Sequence, residues 1–480
     1  MLKITSKYYE ICKGIVFWLV TTLLIFIPLY QKFPLINIPG TFVAVRLEDI
    51  LIFVTFVAWV LLLTLSKDWK KFFGDKLVQA IIVFFAIGFI SYLSGVLVTK
   101  TISAQVGLFH FIRRIELILL MPISIWAVRS KKDVYFWLFL SFFVLLLVNF
   151  YALGQKFLGF PAISTTSAEA SKGIISYLSP SGRVNSTFAG HYDLAIYLMM
   201  NISLFAGLIF YFVDNPKFKT LRQKLTLSAV FLGLAALSFV VLVMTAARLS
   251  FIGVFLAIFL ALILLKKWKF ILVMFVFAIA TLIYPSQLRS RLISTFTVNL
   301  ASTWKSYTAI SEEQAQRSNL NIPTLPSSGR GQDAPGLVSP DIAPGEPVDI
   351  TDLGVYRSFS IRIYAEWPRA FRAFIKNPLL GTGYSSIGLA TDNDVLRSLG
   401  EVGLLGTAAF ALIIWELIKR VVVNVKKGRK FNKYFSVGVL AMIAAFLVNS
   451  LFIDVFEATK VASMFWLING VYLGYNRRKV

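Results

Sequence analysis

The stretch Val240–Ala257, VVLVMTAARLSFIGVFLA, decides how the chain folds. It sits inside one apolar run from 225 to 265 that is broken only by Thr245-Ala246-Ala247-Arg248. Such a run is too long for one membrane crossing of ~20 residues and fits two, joined by a tight turn that carries one cation. Working outward, similar runs recur along most of the 480 residues, near 13–30, 47–65, 77–99, 104–128, 134–153, 191–213, 225–245, 249–265, 269–284, 402–418, 434–453 and 459–475. The chain is 57% hydrophobic, 15% charged and has a mean hydropathy of +0.75. A soluble protein of this size carries roughly 25% charged residues. The expected fold is an all-α polytopic membrane protein with about twelve spans.

The net charge of +24 raises the question of nucleic acid, and position answers it. With the N-terminus inside, the inner segments are 1–13, 66–76, 129–132, 214–224, 266–269, 419–433 and 477–480, and each is net positive. They hold 27 of the 48 Lys and Arg residues. Lys and Arg collect in cytoplasmic loops of membrane proteins, so both termini are expected in the cytoplasm and no nucleic-acid partner is needed. The lone Cys12 rules out an intramolecular disulfide and a cysteine metal site. The first apolar run, Gly14 to Tyr30, lacks a small-x-small cleavage pattern and reads as a retained helix.

Three regions follow: residues 1–284 with spans one to nine, a large outer loop over 285–401, and residues 402–480 with spans ten to twelve. Within the loop, 321–349 is rich in Pro, Gly and Ser and is expected to be flexible and dispensable. The segment Tyr356–Lys376, YRSFSIRIYAEWPRAFRAFIK, has near-helical spacing of aromatics and Arg and is expected to lie at the membrane interface. A smaller outer loop, from Gln155 to Gly190, precedes the sixth span.

Topology does not explain the cations on the outer side or inside spans. Arg113 and Arg114 sit within the fourth span beside His110 and Glu116, about 100° apart around the helix. Ionisable residues at such depth usually line a substrate path; the plainer reading is an Arg113–Glu116 pair at i,i+3. Arg248 crowns its hairpin and either meets substrate or anchors the turn to lipid phosphate. Arg183 precedes the sixth span and suits anion contact. His191 opens that span with Asp193 two residues on, and a lone interfacial His is more often structural than catalytic. Arg forks match phosphate oxygens, so a lipid-linked pyrophosphate is the natural ligand. No Walker motif, His-rich cluster, DxD or Ser-His-Asp pattern is present, so neither metal nor cofactor is expected.

In order along the chain come GRVNSTFAGHYDLAIYL, TAARLSF with Arg248, RIYAEWPRAF with Arg362 and Trp367, NPLLGTGYSS (Asn377–Ser386) and DNDVLRSLGEVGLLG (Asp392–Gly406). This series resembles the O-antigen ligase/O-antigen polymerase superfamily of bacterial envelope glycosyltransferases. The resemblance implies glycan transfer from an undecaprenyl-pyrophosphate-linked oligosaccharide to an acceptor glycan or glycolipid, at the outer face of the bacterial cytoplasmic membrane. A polymerase is preferred over a ligase. It also implies pyrophosphate contacts for Arg248 and Arg362, with a base at Asp392, where the family usually has His. Asp394, Glu366 or His191 are the other positions open to that base. The alternative class is a transporter or flippase of lipid-linked or polar substrates, for which two repeated halves and no hundred-residue outer loop are expected.

Overall fold

The computed structural model describes residues 2–37, 44–66, 69–163, 175–178, 182–214, 220–297, 361–387 and 391–477. The 321–349 tract lies outside them. The helices are α1 (Leu2–Leu29), α2 (Leu47–Leu65), α3 (Trp69–Phe73), α4 (Lys76–Leu97), α5 (Ala104–Ala127), α6 (Lys131–Phe157), α7 (His191–Asp214) and α8 (Leu221–Met244). They continue with α9 (Arg248–Leu264), α10 (Lys269–Ile283), α11 (Gln287–Thr297), α12 (Trp367–Lys376), α13 (Asp394–Lys427), α14 (Phe431–Ser450) and α15 (Thr459–Arg477). A helix stands at each of the twelve stretches that the sequence marks as spans. Among the described residues eight are long and apolar enough to cross a membrane: α1, α2, α4, α6, α7, α8, α13 and α14. The count is nine if α10 and α11, bent by 96° at their junction, form one broken span. The others depart from the criterion for local reasons. α5 carries Arg113, Arg114 and Glu116, α9 has only 17 residues, and α15 includes Lys460 with several Ser, Thr and Asn positions.

The expectation of an all-helical chain needs one correction. Two short antiparallel ribbons cap the ends of helices: β1 (Pro34–Asn37) with β2 (Ala44–Arg46), and β3 (Pro161–Ile163) with β4 (Ile175–Tyr177). Both lie in connections between helices, where paired strands satisfy backbone groups that no helix serves.

The core forms around α7, whose helix is the most buried of the spans and packs on α8, α9 and α14. α7 and α14 meet through glycines. A Cβ on Gly207 would lie 2.2 Å from the Tyr434 carbonyl, and one on Gly438 would lie 2.5 Å from the Leu204 carbonyl. Small residues at such a crossing bring backbones together, where lipid offers no hydrophobic drive for helix association. Around this pair α15 packs on α5, α13 on α4 and α1 on α2.

α13 differs from the expected tenth span. The apolar run suggests a start near 402, but the helix begins at Asp394, with the Asn393 side chain accepting from Leu396 N at 2.9 Å. It breaks at Gly403, whose φ of 66° belongs to the left-handed region. The loop after α12 fills the break: Leu404 N donates to Pro378 O (2.8 Å) and Leu405 N to Leu379 O (3.1 Å). In return Thr382 N donates to Gly400 O and Gly383 N to Glu401 O, both at 2.9 Å. The NPLLGTG segment is thus stitched to α13 by main chain. Before it, α12 leaves Phe371 and Ile375 exposed on one flank, an apolar face suited to lipid.

Candidate active site

The π-helical turn Ile361–Glu366 carries Arg362 and Glu366 into the site. Arg362 Nη2 lies 2.5 Å from Asp392 Oδ2, closing an ion pair between the turn and the loop that leads into α13. Asp392 has a φ of 50°, an unusual conformation for a residue with a side chain. Its neighbours hold it there. Asp454, in the connection between α14 and α15, accepts Thr391 N at 2.9 Å on one oxygen and Asn393 N at 3.0 Å on the other. Both amides flanking Asp392 are therefore fixed by one carboxylate.

Glu366 lies within the electrostatic reach of the same pair. Burial and the neighbouring Asp392 charge push its carboxyl up to about 7, against the pull of Arg362. One of its oxygens is buried with no hydrogen-bond partner among the described residues. The Asp392 carboxyl is raised as well, by burial first, with Arg362 pulling it down and Asp454 pushing it up. Two carboxylates beside one guanidinium is an arrangement that can hold and pass a proton.

Cations line the other side. The hairpin turn between α8 and α9 has Ala246 at a φ of 53° and sets Arg248 at the first position of α9. Arg248 donates to the Arg291 carbonyl at 3.3 Å, and its charge feels those of Arg291 and Arg362. Arg291 arrives through the sharp turn between α10 and α11, and its charge also reaches Arg183 and His191. Arg183 Nη1 stands 2.8 Å from His191 Nε2 and also bonds the Tyr192 side chain. Four guanidiniums, Arg183, Arg248, Arg291 and Arg362, therefore sit in one electrostatic neighbourhood. Mutual repulsion makes that costly unless an anion is gathered there.

Arg113, Arg114 and Asp394 have different surroundings. Arg113 pairs with Asp49 at 3.3 Å and Glu116 at 3.5 Å, and donates to Thr459 Oγ1 at 3.2 Å. Arg114 pairs with Glu457 and donates to Phe456 O. Asp394 is buried and accepts Val455 N at 2.9 Å and Phe456 N at 3.3 Å. Arg397, which meets Asp454 at 2.8 Å and both Glu401 and Glu457 at 3.3 Å, and Asp394 clasp the α14–α15 connection against the start of α13, while Arg114 ties the same connection to α5. That clasp positions the Asp392 loop from behind.

Sequence reasoning passed over Arg291, Tyr192 and Asp454. The signal that picked out Arg248, a cation that the expected topology does not explain, applies equally to Arg291 in SQLRSRLIS, whereas Asp454 in LFIDVFEATK carries no such signal. Among the described residues no group of three or more His, Cys, Asp or Glu side chains is arranged to hold a metal ion.

Residues 233–411 match the O-antigen ligase family. The match supports the O-antigen ligase/polymerase superfamily, whose members are glycosyltransferase-like membrane enzymes with lipid-linked glycan partners. Within the matched O-antigen ligase region lie Arg248, Arg291, Arg362, Glu366 and Asp392; Arg183, His191 and Asp454 are supplied from outside it. No curated protein matches the chain.

Proposed function

We propose that the chain is a metal-independent glycosyltransferase with twelve spans and both termini in the cytoplasm. It transfers glycan from an undecaprenyl-pyrophosphate-linked donor to an acceptor sugar at the outer face of the bacterial cytoplasmic membrane. The observation that carries this reading is the joining of Arg362 to Asp392 at 2.5 Å beside the Arg183–Arg248–Arg291 group. Anion binding and proton acceptance then meet at one guanidinium. The acceptor hydroxyl oxygen attacks the anomeric carbon of the donor and the bond from that carbon to the pyrophosphate oxygen breaks. The hydroxyl proton passes to a carboxylate, and undecaprenyl pyrophosphate leaves with its charge spread over Arg248, Arg291 and Arg362.

Asp392 is the base in this reading, because the sequence resemblance puts it where the family usually has His and its side chain is part-exposed. A second reading gives the proton to Glu366, favoured by its value of about 7 and by a buried oxygen with no partner among the described residues. The preferred acceptor is another lipid-linked glycan, which makes the enzyme a polymerase; a different terminal glycolipid would make it a ligase. Purified full-length protein incubated with lipid-linked oligosaccharide, with and without chelator, tests the proposal. Longer lipid-linked glycans mark a polymerase, and transfer only to added glycolipid marks a ligase. Absence of both, with the donor carried across vesicles instead, returns the transporter reading.

A further inference from the structure

A buried ammonium outside the reacting groups pins the loop that carries Arg183. Residues 184–190 of that loop are buried throughout, although they form neither helix nor strand. Two elements hold them. From α6, Gln155 Oε1 accepts Asn185 N at 3.3 Å and Ser186 N at 2.7 Å. From α15, the Lys460 ammonium donates to Thr187 O at 2.7 Å and to Tyr30 O just past the end of α1. It also lies 4.9 Å from the centre of the Phe188 ring. Thr187 Oγ1 adds a bond to Pro28 O at 2.5 Å. Lys460 thereby ties the loop to α1 at a point four residues after Arg183.

Lysine is a costly choice for this task. Lys460 is 0% exposed, and a buried ammonium is kept only where its donors are matched. Carbonyls of two separate segments and the face of an aromatic ring match it here. The carboxylates of Glu48 and Asp193 act on it from further off, against the charges of Lys32 and Arg46. The proposed topology sets Lys460 at the outer end of its helix, where charge sorting across the membrane gives no reason for a cation. An apolar side chain could fill the same space, but it could not join the two carbonyls.

The place of Lys460 in the chain supplies the role. It comes six residues after Asp454, whose carboxylate fixes the amides on both sides of Asp392. Between them Glu457 pairs with Arg114 and Thr459 accepts from Arg113, so the stretch 454–460 is anchored to α5. One anchored stretch holds the Asp392 loop at its first residue and the Arg183 loop at its last. We infer that Lys460 is a positioning residue that sets Arg183 against Asp392. It acts through the Thr187 carbonyl rather than on the reacting groups, and its value to catalysis rests on the function proposed above.

The test uses full-length protein in detergent and Lys460→Met, which keeps the bulk and removes the donors. One measurement is amide hydrogen exchange without ligand; the other is affinity for a non-transferable polyprenyl pyrophosphate. Exchange is expected to quicken about 10-fold or more over peptides spanning 182–190 and to stay at the wild-type rate over α14. Affinity is expected to fall about 10-fold in Lys460→Met and in Arg183→Ala. The double variant should still lose only about 10-fold, because both changes remove one and the same contact. Beside Arg248→Ala, on a different hairpin, the Lys460→Met loss should instead multiply to about 100-fold. If Lys460→Met fails to fold, Thr187→Val, which deletes only the bond to Pro28, is expected to cost about threefold, and nothing beside Arg183→Ala. Unchanged exchange over 182–190 in folded Lys460→Met, or losses that multiply with Arg183→Ala, would overturn the inference. Wild-type protein that binds no polyprenyl pyrophosphate would sink the proposed function alone, and exchange over 182–190 would still decide whether Lys460 positions the loop.

Discussion

Asp392 and Arg362 stand 2.5 Å apart although thirty positions separate them in the chain, and Asp454 fixes the amide on each side of Asp392. The backbone that carries this carboxylate is fixed on both sides, which keeps it beside its guanidinium. It is pre-set for one direction of approach, which is what a base for an incoming hydroxyl requires.

Removing the guanidinium is expected to be severe. Arg362→Ala should lower turnover on the order of 10²-fold or more, by analogy with deleting one preorganised donor to a departing anion. Arg362→Lys should recover only part, because the ammonium lacks the planar fork. Near-normal transfer by folded Arg362→Ala would assign the residue to holding Asp392 alone.

The two carboxylates separate by charge-neutral replacement. Asp392→Asn should reduce turnover ~10²–10⁴-fold while donor binding persists. If Glu366 is instead the base, Glu366→Gln shows that loss, and wild-type activity climbs with pH through about 7 as its proton leaves. A kcat profile flat across that range in the wild type would count against Glu366.

Glu366 also makes a stability prediction with a definite sign. Its folded value of about 7 lies above the ordinary 4.5, so the folded state holds the proton more tightly than the unfolded chain. The resulting stabilisation is full below about 4.5 and is lost as pH rises through about 7. Glu366→Gln should flatten that part of the melting-temperature curve, measured in the same detergent across pH.

Arg291 should matter nearly as much as the arginines that the motifs single out. Arg291→Ala is expected to weaken donor binding about 10- to 100-fold, the worth of one charge-assisted contact. Binding of a non-transferable polyprenyl pyrophosphate reads this directly, and unchanged affinity would remove Arg291 from the anion group.

Asp454→Asn is expected to act through the fold. It leaves Arg397 short of a buried partner and loosens both amides beside Asp392. A loss of about 3–5 kcal/mol accompanies breaking one side of such a buried pair. Thermal unfolding should show it, with turnover falling by more than donor affinity.

Much of this organisation is legible in the sequence, because hydropathy alone marks where helices stand: the run broken at Thr245–Arg248 becomes α8, a three-residue turn and α9. The chemistry of Arg113 and Arg114 is not legible. Their carboxylate partners are Asp49 and Glu457 as well as the local Glu116, and only the last lies within reach along one helix. The early start of α13 is hidden for a similar reason. Residues 394–401 are too polar to suggest a buried helix until Asp454 and Glu457 arrive from the next connection to neutralise Arg397.

The break at Gly403 bears on biogenesis. A Cβ there would lie 2.4 Å from the Leu379 carbonyl, so any other residue would push the NPLLGTG loop out of its seat. Backbone groups freed at the break, at Leu404 and Leu405, find their acceptors only on that loop among the described residues, and lipid cannot supply substitutes. Final seating of this helix in the bilayer therefore depends on docking of the preceding NPLLGTG loop. The break thus makes the packing of the last fifth of the protein wait on the loop before it, and slow docking of that loop would leave the helix with unsatisfied amides.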